Sequence, residues 1–118
     1  MPGMFIFYVV VTFLAILTNL FSATLDFIRY EKVLTKMASA KVPLSWVNLL
    51  GVLKAAGAIG LIVGFFIPLI GDAAATGLVL FYIGAIITHL RVRDYSIGLA
   101  TAFLLFPASS LILGIAVN

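Results

Sequence analysis

The stretch that decides the fold is WVNLLGVLKAAGAIGLIVGFFIPLIG, residues 46–71. Its first 22 residues hold one charge, Lys54, among twelve Leu, Ile, Val and Phe. A helix rising ~1.5 Å per residue crosses ~30 Å of hydrocarbon in about 20 residues, so residues 46–67 are long enough to span a bilayer. A lysine well inside such a span costs roughly 2.5–3.5 kcal/mol on insertion. Each Leu, Ile, Val or Phe returns roughly 0.3–0.6, so the helix still inserts. Pro68 and Gly71 are read as its end.

Three more apolar runs lie around it, at residues 4–23, 72–90 and 97–116. Pro43 and Ser45 precede the second span, Asp72 is placed to cap the third and Ser96 the fourth. The whole chain of 118 residues is 64% hydrophobic and 9% charged, where a soluble domain carries roughly 25% charged residues. Its mean hydropathy is +1.31. Too few polar residues exist to cover a globule in water, so lipid is the expected solvent. Lipid offers no partner to an open sheet edge, which leaves helices. The expected fold is all-α, a single integral membrane four-helix bundle over residues 1–118. The first run resembles the core of a signal peptide but lacks a basic leader, and it is read as an uncleaved span.

Charge orients the bundle. Arg29, Lys32, Lys36 and Lys41 lie between the first two spans, and Arg91 and Arg93 between the last two. The connection PLIGD and both termini hold no Lys or Arg. The positive-inside rule then predicts cytoplasmic basic loops and extracytoplasmic termini in a multi-pass membrane protein. Within TLDFIRYEKVLTKMASAK, residues 24–41, Phe27, Tyr30, Leu34 and Met37 recur at helical spacing. This predicts an interfacial helix, or a continuation of the first span out of the membrane. Arg29, Lys32, Lys36, Lys41, Trp46 and Arg93 are read as membrane-anchoring residues.

Several chemistries are excluded. No cysteine is present, which removes disulfides, thiolate nucleophiles and zinc–thiolate sites. A single histidine argues against bis-histidine haem ligation in one protomer and against His-rich metal sites. Seven cations against four carboxylates are too sparse for a nucleic-acid surface. No catalytic or metal-ligating set is assigned.

The candidate binding residues are Asn19, Lys54, Tyr82, His89 and Arg91. Lys54 follows Trp46 by eight residues, ~12 Å into the membrane. It either faces the bundle interior, holding an anionic or carbonyl head group or pairing with Asp26 or Asp94, or snorkels to the surface as an anchor. Asn19, with Thr18, Ser22 and Thr24 near it, suits a hydrogen bond to a neighbouring helix, worth ~0.6 kcal/mol on average. His89 is able to relay protons beside Asp94 or donate to a quinone carbonyl. Arg91 and Arg93 also serve orientation alone, and Asp94 also suits the start of the fourth span.

Ala56, Gly60 and Gly64 fall four residues apart, with Gly57 beside them. Such spacing lets another helix approach closely, either inside the chain or in a homo-oligomer through Gly60 and Gly64. Gly77 and Gly84 offer the same to the third span. Pro107 should kink the fourth and free a carbonyl that Ser110, a water or a ligand would satisfy.

The P-x-x-W entry at Pro43 and Trp46, the glycine-rich second span, the P-L-I-G turn at Pro68–Gly71 and the G-A-x-x-x-H-L-R ending at Gly84, Ala85, His89, Leu90 and Arg91 carry a family likeness. The chain resembles the DoxX-like family of small bacterial four-helix membrane proteins, relatives of a subunit described for archaeal thiosulfate:quinone oxidoreductase. The resemblance implies a four-helix bundle in the plasma membrane. It also implies quinone association for relatives, attached to no particular residue here.

The expected function is therefore a non-catalytic membrane subunit, or a binder of a small lipophile of quinone or lipid type, with a cytoplasmic-side pocket between the five candidate residues. No cofactor is expected beyond such a quinone or lipid, and a redox or envelope membrane protein is the expected partner. A four-span proton-coupled exporter is the alternative, but it needs a carboxylate deep in the first span, and Asp26 and Glu31 are placed beyond its end. A membrane enzyme using His89 and Asp94 for acid–base chemistry is a third reading. Quinone-linked thiol oxidoreductases of four spans are excluded by the lack of cysteine.

Overall fold

A computed structural model describes residues 2–94 and 97–117. Its helices are α1 (Pro2–Phe27), α2 (Glu31–Ser39), α3 (Val47–Val63), α4 (Pro68–Arg91) and α5 (Gly98–Val117), with a 3₁₀ turn at Leu44–Trp46 leading into α3. Four segments are long and apolar enough to cross a membrane: Gly3–Phe27, Leu44–Val63, Pro68–Arg91 and Ala100–Val117. α1 packs on α3 and α5, and α4 packs on the same two helices, so α1 and α4 stand diagonally across a four-helix bundle. Ala15, Ile16, Ala58, Leu61, Ala75, Leu78 and Tyr82 fill its centre. Phe7, Phe21, Phe66, Leu69, Leu80 and Ile112 point outward. Water would penalise that surface, whereas lipid tails are as apolar as the residues themselves.

α3 and α4 are pinned together at one end by glycine. A Cβ added at Gly71 would lie 2.8 Å from the Cα of Gly64, one at Gly60 would lie 2.6 Å from the Cβ of Ala74, and one at Gly57 would lie 2.5 Å from Leu78. Real Cβ atoms do not approach other atoms so closely, so these positions need to be small. The spacing read from the sequence is thus used inside the chain, by Gly60 and Gly64 against α4. Gly77 and Gly84 do not follow the same rule, since nothing lies within 4 Å of where their Cβ atoms would be.

The helix boundaries differ from the expected spans at three places. α1 does not end near residue 23 but runs to Phe27, so Leu25 and Asp26 are helical. α3 stops at Val63 although Phe65, Phe66 and Ile67 are apolar, because residues 64–67 form the tight turn that brings Gly71 onto Gly64. Pro68 therefore opens α4 at its first position, where a missing N–H costs nothing, rather than ending α3. Asp72 does not cap α4. It lies within the helix, where its carbonyl accepts a hydrogen bond from the Thr76 hydroxyl. Ser96, the expected cap of the fourth span, lies outside the described residues. α5 passes through Pro107 as one helix, and Ser110 shares a 2.6 Å hydrogen bond with Thr12 of α1.

The basic end is shaped by three left-handed residues, Arg29 (φ 55°), Lys41 (φ 58°) and Arg93 (φ 59°). Each closes a helix in the same way. The N–H groups of Arg29 and Tyr30 return to Asp26 and Leu25, those of Lys41 and Val42 to Ala38 and Met37, and those of Arg93 and Asp94 to Leu90 and His89. This is the Schellman pattern, which satisfies the last carbonyls of a helix and usually employs glycine at the left-handed position. A side chain there costs roughly 1–2 kcal/mol. A cation at a helix C-terminus recovers about 0.3–1 of it through the helix dipole. The stop at Arg29 splits the expected continuous connector into the end of α1 and a separate α2.

Candidate functional site

Lys54 reaches inward from α3. Its Nζ donates to Asp26 Oδ2 at 2.9 Å and to Ser22 Oγ at 2.8 Å, both on α1, and lies 5.6 Å from the centre of the Phe81 ring on α4. The Lys54 side chain is 12% exposed and that of Asp26 1%, so the lysine does not snorkel to the surface. The sequence places Asp26 beyond the first apolar run; the length of α1 carries it into the bundle instead. Gly51 makes the meeting possible, because a Cβ there would stand 3.2 Å from the Asp26 Cβ and 3.1 Å from the Phe27 ring. A buried ion persists only with a partner, and here two charges from helices remote in sequence neutralise each other.

One layer further in, Tyr82 of α4 donates its hydroxyl to Asn19 Oδ1 of α1 at 2.5 Å, and Asn19 Nδ2 donates to the Ala15 carbonyl at 2.8 Å. Both side chains are buried. Phe81 and Phe103 meet the Tyr82 ring edge-on, at 5.1 and 6.0 Å between centroids. Thr18, Thr24 and Thr88 turn their hydroxyls onto carbonyls of their own helices.

His89 sits in the last turn of α4, buried, with Nδ1 2.7 Å from Asp94 Oδ2. The left-handed turn at Arg93 folds Asp94 back to that position. Asp94 thus pairs with the end of α4. With Nδ1 donating to the carboxylate, Nε2 is the ring nitrogen available to a ligand.

These groups surround a cavity of about 620 Å³ at the basic end. Lys54, Tyr82, His89 and Arg91 line it, with Asp26 and Ser22. Asn19 does not, and acts on it only through Tyr82. Leu50, Leu53, Phe81 and Phe103 form apolar walls from α3, α4 and α5, and Met37, Ala40 and Pro43 close the end through α2 and the loop after it. Leu49, Leu53 and Gly84 line the cavity and are also exposed on the outer surface of α3 and α4. Of the residues read as anchors, Lys36, Lys41 and Trp46 line the cavity, whereas Arg29, Lys32 and Arg93 do not. Among the described residues no three His, Asp or Glu side chains gather as a metal site.

Sequence reasoning missed the part played by α2. Val33, Met37 and Ala40 line the cavity from one face of that segment, and their spacing is legible as a helical stripe. In the sequence the helical spacing runs on through Phe27 and Tyr30, which the break at Arg29 separates from this stripe.

The fold and the cavity define a small helical membrane protein with an interior that is apolar along its walls and charged toward one end. A family model, that of the DoxX-like family, matches residues 10–116, and the chain belongs to this family. No curated protein and no solved structure matches it significantly.

Proposed function

We propose that this protein is a non-catalytic membrane binder of a small lipophile, a quinone or a lipid, held in the cavity at the basic end. The observation that carries the reading is a cavity of about 620 Å³, within the ~300–1,000 Å³ common to ligand clefts, with apolar walls and with lining residues of α3 and α4 that are exposed on the outside of the bundle. A lipophile enters from the lipid between α3 and α4 without crossing water. Lys54, with one N–H beyond its bonds to Asp26 and Ser22, offers a donor to a carbonyl or head-group oxygen, and His89 Nε2, with Nδ1 donating to Asp94, offers an acceptor to a ligand hydroxyl. In this reading the basic end faces the cytoplasm of a bacterial cell, since Arg29, Lys32, Lys36, Lys41, Arg91 and Arg93 all belong to it. A redox or envelope membrane protein would deliver or collect the lipophile.

An exporter is less well supported by the site. Its coupling carboxylate would have to exchange protons with the lumen, and Asp26 is 1% exposed and held by Lys54. The pairing of His89 with Asp94 keeps an acid–base enzyme as the second reading.

Trp46 supplies the test, because it is the only tryptophan of the chain and lines the cavity. Titrating a short-chain quinone into the purified protein in detergent should quench its fluorescence with a saturable component. Filling the cavity with Ala85→Phe should remove that component and leave the linear, collisional part. Linear quenching alone in the native protein would reject a binding site for the quinone. The same linear result with brominated lipids would reject the reading.

A further inference from the structure

His89 is 7% exposed, yet only one of its two ring nitrogens is engaged by the protein. Nδ1 is bonded to Asp94 Oδ2, and among the described residues nothing bonds Nε2. No enclosed side-chain nitrogen or oxygen among the described residues lacks a partner, so open space lies beside Nε2. The open space that His89 lines is the cavity. Because the Asp94 carboxylate accepts from Nδ1–H, Nε2 faces that space as a lone pair. The other polar groups of the wall differ from it. The lysines and the arginine carry only donors, the Tyr82 and Thr88 hydroxyls donate to Asn19 and to the Gly84 carbonyl, and Asp26 is 1% exposed and held by Lys54.

Resting on the lipophile reading above, we propose that the ligand carries a neutral hydroxyl head, an alcohol or a phenol, which donates to His89 Nε2 while its apolar body lies along Leu50, Leu53 and Phe81. Two features select this class. A lone pair in an apolar chamber is left unsatisfied by a ligand that brings only further lone pairs to it, as an ether, a ketone or an oxidised quinone does. A ligand of the same shape that supplies an O–H satisfies it and is favoured. Depth is the second feature. His89 lies in the last turn of α4, close to the end of a segment long enough to cross the bilayer. A hydroxyl-headed amphiphile lying in a leaflet already holds its polar group near that level and its hydrocarbon deeper, so it keeps its depth on binding. Side chains lean toward the N-terminus of their helix, and α4 begins at the closed end, so His89 leans back over the chamber. Asp94, returned by the left-handed turn at Arg93, is the positioning residue that sets ring and proton.

The experiment uses the full chain in neutral detergent and Trp46 fluorescence. The probe is a long-chain alcohol brominated near its hydroxyl, and its methyl ether is the control without a donor. The alcohol should quench saturably with a Kd about tenfold below that of the ether, the value of one hydrogen bond to an otherwise unpaired acceptor. His89→Phe should bring the two affinities together, and saturable ether binding in that variant reports an intact chamber. Asp94→Asn frees the ring to place its proton on Nε2 and should narrow the preference severalfold, whereas a merely structural role would weaken both ligands alike. His89 is the only histidine of the chain, so nitrogen NMR of isotope-labelled histidine reads its ring directly in the native protein. The alcohol should shift an unprotonated Nε2 and the ether should not. Equal affinities for alcohol and ether, a preference that survives His89→Phe, or a ring protonated on both nitrogens would each overturn the hydroxyl assignment and leave the lipophile reading standing. Saturable quenching by neither ligand would overturn both. A brominated alkylphenol binding more tightly than the alcohol would assign the hydroxyl to a phenolic source, and the reverse order to an alcohol-headed lipid.

Discussion

The two ends of the α3–α4 hairpin are built by opposite means. At the turn end the helices meet backbone to backbone through Gly64 and Gly71, then through Gly60 on Ala74 and Gly57 on Leu78. At the basic end the same two helices present Leu50, Leu53 and Lys54 on one side and Phe81, Ala85 and His89 on the other, and these line a cavity instead of closing on each other. Packing and interhelical hydrogen bonds, not a hydrophobic drive, hold helices together in lipid. Tight glycine contacts can therefore carry the closed end, which leaves the open end to be held by polar bonds from α1, those of Asp26 to Lys54 and of Asn19 to Tyr82. One helix pair thus combines a clamp with a chamber.

Substitutions separate these two modes. The largest effect is expected at the open end. Lys54→Met leaves Asp26 buried without its cation and should lower stability by about 3–5 kcal/mol, whereas Asp26→Asn combined with Lys54→Met should recover much of the loss. Unfolding in denaturing detergent measures both, and equal stability of the single and double variants would break the pairing account. At the clamp, Gly64→Ala sets a Cβ against the backbone of Gly71, which has no flexible end to yield, and should cost about 1–3 kcal/mol in the same assay. Gly77→Ala, on α4, marks the opposite case. Nothing lies near its Cβ, and a helical alanine is worth roughly 0.5–1 kcal/mol over glycine, so this variant should be slightly more stable. If Gly64→Ala and Gly77→Ala behave alike, the clamp is not the source of the tight end.

Much of this was legible in the sequence. The four spans, the glycine spacing on α3 and the capacity of Lys54 to pair with Asp26 all follow from composition and helical period. Hydropathy does not reveal that α1 carries Asp26 into the bundle, because Asp26 reads as an exit from the apolar run until Lys54, 28 residues away, is known to meet it. It also ran α3 through Phe65–Ile67, since an apolar turn at a close glycine crossing has the same composition as helix. The cavity was legible only in part. Lys54, Tyr82, His89 and Arg91 were picked out one by one from their chemistry, yet the end wall made by α2 was not. Its placement depends on left-handed turns at Arg29 and Lys41, where no glycine advertises a turn.

The most direct test of the open chamber is photolabelling of the protein in bilayers with a lipophile bearing a diazirine on its tail, followed by mapping of the adducts. The account predicts saturable labelling concentrated on Trp46, Leu50 and Leu53 of the α3 side and on Phe81 and Ala85 of α4, competed by excess unlabelled lipophile, with only diffuse labelling around Gly60 and Ala74. Uniform, non-competable labelling along the whole lipid-facing surface of α3 and α4 would contradict it.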